Sequence, residues 1–143
     1  MPWLDIRSRI SAEAKALIIS PLKRATIGAG VAAIVQTLRN KLPQTKILVL
    51  AIFPRGEKPT PEREVLRTAN RIAAGLADGR HVFFEDVNHL FLRPDGSIPA
   101  SLMPDFEHPN EEGHRRWAVA IEKKVAELMG DKPTAELPPT AKP

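Results

Sequence analysis

The chain has 143 residues, a formal net charge of +4, 43% hydrophobic and 27% charged residues, and no cysteine. That length and balance fit one domain with one hydrophobic core and exclude wholesale disorder. The missing cysteine excludes disulfides, thiolate metal sites and a cysteine nucleophile. The positive charge alone does not point to nucleic acid: basic residues alternate with acidic ones, as in Glu122-Lys123-Lys124, and with no Tyr and 5% aromatics there is little for bases to stack on.

Residues 1–29 carry no regular pattern. Ile10 to Ile19 reads equally as a short helix or, through Leu17-Ile18-Ile19, as a strand. Pro21 interrupts it. The N-terminus has no basic start followed by an apolar stretch and a small-residue cleavage site, so it does not read as a secretory signal. The default expectation is a cytoplasmic protein, or a secreted one if a signal lies upstream. No apolar run approaches the roughly 20 residues that span a bilayer.

From Gly30 the pattern is regular. Val31, Ile34, Val35, Leu38 and Leu42 fall at helical spacing and predict one apolar helix face, stopped by Pro43. The run Ile47 to Phe53 is apolar at every position, which suits a strand covered on both faces. Pro54-Arg55-Gly56 ends it as a loop. Thr60 as N-cap, Pro61 at the first position, and Glu62 and Glu64 in the first turn predict a helix with Val65, Ala69, Ile72 and Leu76 buried. Asp78-Gly79 closes it. His81 to Val87 reads as a second strand. His89 to Leu92 precedes the turn Pro94 to Ser97. A last helix follows Pro109-Asn110, with Trp117, Ile121, Val125 and Leu128 on its apolar side and Gly130 at its end. Residues 131–143 hold four prolines and read as a flexible tail. The alternation of helix and strand predicts an α/β layered fold with parallel strands, of which only two are clear.

The chemistry concentrates in Met103-Pro104-Asp105-Phe106-Glu107-His108-Pro109-Asn110. Asp105 and His108 are three positions apart, which lets a carboxylate hold an imidazole, fix its tautomer and leave the second ring nitrogen as a general base. A bare Asp-x-x-His is common in surface loops, and Asn110-Glu111-Glu112 reads equally as a plain helix start. Four scattered histidines have no zinc-site spacing. His81, His89 and His114 read as packed or solvated. Gly28-x-Gly30 lacks the strand and third glycine of a dinucleotide fingerprint. Arg55 stands where α/β folds place ligands and is a candidate contact for an anionic group, although a solvated loop residue is the simpler reading.

The residues around Asp105 and His108 carry a more specific signal. Asp105 to Gly113 followed by Trp117-Ala118 resembles the last block of the SGNH (GDSL-type) hydrolases. Gly30 to Val35, Leu42-Pro43-Gln44-Thr45-Lys46 with Ile47 to Gly56, Pro61, Arg63-Glu64, Asn70, and Asp95-Gly96-Ser97-Ile98 extend the likeness. They place it in the branch related to the catalytic subunits of platelet-activating factor acetylhydrolase. The likeness covers residues 30–130, the C-terminal part of such a domain. It implies a three-layer flavodoxin-like fold with five parallel strands, of which the N-terminal ones have no counterpart here. It implies cleavage of a small carboxylic ester through an acyl-serine, with His108 as base and Asp105 as its orienting partner, and no metal or organic cofactor. It also implies association, either as a homo-oligomer or with a partner chain.

The family's Gly-Asp-Ser nucleophile motif has no match, nor does its Gly-x-Asn oxyanion motif. The serines are Ser8, Ser11, Ser20, Ser97 and Ser101, and Ser97 follows Asp95-Gly96 in the wrong order. The expectation is therefore a truncated serine esterase, inactive alone. The alternatives are a non-catalytic interaction module and one half of a complemented esterase.

Overall fold

The computed structural model describes residues 24–133. The expectations for Ile10 to Ile19 and for most of the proline-rich tail lie outside them. The order of elements is helix α1 (Arg24–Lys41), strand β1 (Ile47–Leu50), helix α2 (Pro61–Ala74), strand β2 (Val82–Glu85), a 3-10 turn (Asn88–Phe91) and helix α3 (Glu111–Met129). The two strands pair in parallel, with Ile47 opposite Val82 and Leu50 opposite Glu85. Because α2 forms the crossover, this is one βαβ unit, the α/β architecture with parallel strands that the alternation predicts.

Both strands are shorter than the segments the sequence predicts, Ile47 to Phe53 and His81 to Val87. The ladder continues one step past β1, where the Ala51 N–H donates to the Glu85 carbonyl at 2.9 Å. Beyond it, the side chain of Asn70 on α2 takes over the pairing role. Its Oδ1 accepts from the Ile52 N–H at 2.8 Å and its Nδ2 donates to the Ile52 carbonyl at 3.0 Å. A buried amide thus replaces a neighbouring strand and directs the chain into the 54–56 loop.

α1 begins at Arg24, six residues before the regular pattern starts. Two glycines hide this turn from a propensity reading, yet Gly28 has a packing reason. A Cβ there would lie 2.4 Å from Ile72 Cδ1, so the glycine lets α1 and α2 approach closely. The predicted apolar face of α1 is only partly covered. Val35 is buried, whereas Ile34 is 62% and Leu42 50% exposed, and Leu38 is also exposed. These three lie four positions apart along one side of α1 and its end, and all are exposed among the described residues.

α2 starts at Pro61 as predicted, but Thr60 makes no side-chain cap hydrogen bond. α3 is capped by Asn110, whose Oδ1 accepts from the Gly113 N–H at 2.9 Å. Asn110 is also tied backward: its N–H donates to the Leu102 carbonyl and its Nδ2 to the Ser101 carbonyl, both at 2.9 Å. Gly130 closes the helix in the left-handed conformation.

The core beneath this helix start is Phe91, Ile98, Leu102 and Met103, with Phe53, Phe106 and Trp117 packed against it. Gly113 sits on that cluster. A Cβ at this position would lie 2.7 Å from the Leu102 carbonyl oxygen and 2.9 Å from Pro109 Cβ. Gly113→Ala is therefore expected to destabilise the protein by about 1–3 kcal/mol despite the better helix propensity of alanine. Urea unfolding measures it, and an unchanged or raised midpoint would show that the 102–110 loop yields freely.

Candidate functional site

Asp105 and His108 lie in the loop between the core cluster and α3, and the structure brings them together. Asp105 Oδ1 accepts from the backbone N–H groups of Glu107 at 3.0 Å and His108 at 2.8 Å, an Asx turn that shapes the loop. Its other oxygen, Oδ2, lies 2.7 Å from His108 Nδ1. Each carboxylate oxygen thus has one task, the first folding the turn and the second holding the ring.

The His108 backbone N–H, the ring bond and then the Glu107 N–H hold the Asp105 carboxyl down to about 2. Asp105 is therefore an acceptor at neutral pH, so the ring proton sits on Nδ1 and the lone pair of neutral His108 is on Nε2. Among the described residues nothing hydrogen-bonds Nε2. The side chains are 75% and 57% exposed, so the pair sits at the surface with Nε2 accessible.

The hydrogen bond to Asp105, its charge and that of Glu107 raise His108 above its ordinary 6.5, while Arg55 opposes them. The sign follows. The raised His108 value adds stability that is fully present below about 6.5 and is lost as pH rises through the folded value. The lowered Asp105 value adds stability present above about 4 and lost as pH falls toward about 2. NMR titration of the ring protons is expected to show His108 titrating above 6.5, and Asp105→Asn to bring it back to that value or lower. A His108 midpoint indifferent to Asp105→Asn would contradict the pairing.

Arg55, in the loop after β1, is exposed and forms an ion pair with Glu107, between the two residues of the pair. The Gly56 N–H donates to the Phe106 carbonyl at 2.8 Å. Phe106 has a φ of 58°, uncommon for an aromatic residue, and its ring packs on the core cluster. Behind that loop lies Arg63, 4% exposed, whose guanidinium donates to the carbonyls of Arg55, Gly56 and Gly96. Neither the Arg55–Glu107 contact nor the burial of Arg63 is visible in sequence spacing, because both depend on two loops meeting.

The other candidates stand apart. The Ser97 hydroxyl donates to Asp95 Oδ1 at 2.7 Å, inside its own turn. His114 is exposed on α3, with Nδ1 2.9 Å from the Asn110 carbonyl oxygen and its ring edge-on to Trp117. His89 is exposed and His81 half-buried. A cavity of about 590 Å³ between α2 and β2 is lined in part by Leu66, Asn70, Phe84 and His89, and by neither Asp105 nor His108. Among the described residues no group of three or more His, Asp or Glu could hold a metal ion, and no helix is long and apolar enough to cross a membrane.

Comparison with known proteins bears on this site. The chain is 32% identical over 108 residues to platelet-activating factor acetylhydrolase IB subunit alpha2 of Rattus norvegicus and of Homo sapiens, a match covering 75% of this chain and 47% of each relative. It is 33% identical over 101 residues to the human subunit alpha1, covering 70% of this chain and 44% of that one. The chain thus spans about half the length of these curated relatives. A solved structure from Streptococcus pneumonia, described as a "putative platelet activating factor", superposes with a TM-score of 0.58 at 19% identity, over 72% of this chain and 53% of that one. That likeness shows the fold. The family description GDSL-like lipase/acylhydrolase matches residues 5–116, more than half of the sequence and including the Asp105–His108 loop. The chain belongs to the GDSL-like lipase/acylhydrolase family.

Proposed function

We propose that this chain supplies the acid–base half of a carboxylic-ester hydrolase. The observation that carries the reading is the Asp105–His108 pair, with Nδ1 held at 2.7 Å and Nε2 accessible. Neutral His108 takes the proton of a serine hydroxyl through Nε2 while the serine oxygen attacks the ester carbonyl. The same proton then goes to the departing alcohol, leaving an acyl-serine that water cleaves with His108 again as base. Asp105 stabilises the imidazolium formed in each step without itself taking the proton. The curated relatives are acetylhydrolases by name, which favours a short acyl group.

The serine and the oxyanion donors come from sequence outside this chain. Ser97 is engaged by Asp95, and no Gly-Asp-Ser occurs among the 143 residues. Alone, the chain has no serine-esterase activity, since losing the nucleophile costs several powers of ten and losing one oxyanion donor roughly a further 10²–10³. The test joins or mixes the chain with the Gly-Asp-Ser-bearing first half of a family domain and follows p-nitrophenyl acetate. Serine-dependent turnover that appears only when both halves are present supports the reading. Failure of every complementary half, including any encoded directly upstream of Met1, would sink it.

A second reading, a partner-binding module without catalysis, has its own observation. β1 pairs with β2 on one edge only, so by the alternation of a parallel ladder the N–H and C=O groups of Leu48 and Leu50 face an open edge among the described residues. Ile34, Leu38 and Leu42 add exposed apolar surface on α1. Self-association or capture of a strand-bearing partner, with no ester cleavage in any combination, would favour this second reading.

A further inference from the structure

Arg63 is a buried cation without a carboxylate partner among the described residues. All its hydrogen bonds go to main-chain carbonyls: Nε to Arg55 at 3.0 Å, Nη1 to Gly96 and Nη2 to Gly56. Burying an unpaired guanidinium is costly, and its fork satisfies carbonyls in a fixed plane that a lysine ammonium does not reproduce. The loop it grips has two further contacts, and both reach the residues between Asp105 and His108. The Gly56 N–H donates to the Phe106 carbonyl at 2.8 Å, and the Arg55 side chain pairs with Glu107. Phe106 is held at a φ of 58°, a conformation that persists only when its surroundings over-determine it. The path from Arg63 to the Asx turn is thus continuous through one loop, with a backbone bond and an ion pair as parallel links.

We propose that Arg63 is a positioning residue for the Asp105–His108 pair, acting through residues 54–56 rather than by touching the pair itself. The proposal takes from the functional reading only that His108 is the working base. Without the guanidinium fork, the 54–56 loop loses its fixed height over α2, the Gly56 bond to Phe106 lengthens, and the turn that aims Oδ2 at Nδ1 loosens. The charged groups facing His108 are Asp105, Glu107 and Arg55, and two of the three are set by this loop contact.

The test uses the full chain and reads the His108 ring by NMR across pH. Arg63→Lys keeps the buried charge and lacks the fork. Its expected result is a fall of the His108 midpoint by about half a unit or more toward the ordinary value. Retained dispersion of the remaining amide signals separates loosening of the turn from general destabilisation. A folded Arg63→Lys protein with an unmoved His108 midpoint overturns the proposal. Should that variant not fold, the wild-type protein decides. The Gly56 amide shift is expected to follow the His108 titration, because that N–H is bonded inside the turn, and a flat Gly56 response overturns the proposal. Failure of ester cleavage in every reconstitution would remove the esterase reading while leaving this titration result intact.

Discussion

His108→Ala is expected to lower ester cleavage by about 10⁴-fold or more in an assembly that carries the serine, with little change in substrate affinity. The physical reason is that a serine hydroxyl is a poor nucleophile until a base removes its proton, and Nε2 of His108 is the accessible lone pair of this loop. Asp105→Asn is expected to cost about as much, by a different route. The amide has one acceptor oxygen and one donor nitrogen, so it can present N–H groups to Nδ1 and hold the tautomer whose Nε2 already bears a proton. The two variants differ in their pH profiles. In the reconstituted assembly, kcat/KM of the unsubstituted chain is expected to rise with pH through the raised His108 value, because the base works only when neutral. The double variant is expected to be no worse than His108→Ala, since the two groups act as one unit. The measurement is initial-rate hydrolysis of p-nitrophenyl acetate by the reconstituted enzyme. Retention of activity within tenfold by His108→Ala would remove this residue from the chemistry.

The elements most legible in the sequence were those whose signals are local. The unbroken apolar run at Ile47 announces β1, Pro61 with two acidic residues announces α2, and Asn110 before Glu111-Glu112 announces α3. The Asp105–His108 contact is legible for the same reason, because a three-residue spacing lets a single Asx turn make it without help from the rest of the fold. Features created by elements meeting were not legible. Gly28 enters the sequence reading only as part of an incomplete dinucleotide fingerprint, and its packing against Ile72 is visible only once α1 and α2 meet. Arg63 enters the sequence reading only through the family likeness, and the carbonyls of two separate loops explain its burial. Arg55 reads as a loop residue, and its pairing with Glu107 depends on the β1 exit lying beside the α3 entry. The apolar stripe of α1 predicts a buried face, yet Ile34, Leu38 and Leu42 remain exposed. Periodicity states which residues seek cover without stating what supplies it.

Phe91→Ala is expected to destabilise the protein by about 3–5 kcal/mol, the largest stability effect of any single truncation in the site region. Phe91 is wholly buried and joins the elements that carry the site. Its ring centroid lies 4.9 Å from that of Phe53 at the exit of β1, and Phe53 in turn meets Trp117 of α3 edge-on at 5.7 Å. Its edge faces Gly113, where a Cβ would come within 3.4 Å of it, and Ile98, Leu102 and Met103 complete the cluster. Little can collapse into the space left by the ring, because Gly113 has no side chain and Leu102 is committed through its carbonyl to Asn110. For a domain whose total stability is about 5–15 kcal/mol, such a loss takes a large share. The site is coupled to it, since the 103–110 loop rests on the same residues. In the surviving folded fraction the His108 midpoint is therefore expected to move down toward its ordinary value. Urea unfolding followed by tryptophan fluorescence reads the first effect, and ring-proton titration reads the second. A loss below about 1 kcal/mol would mean that this cluster is not the packing centre of the site. A full loss with an unmoved His108 would mean that the Asx turn, together with its 54–56 loop contacts, holds the pair without the core beneath it.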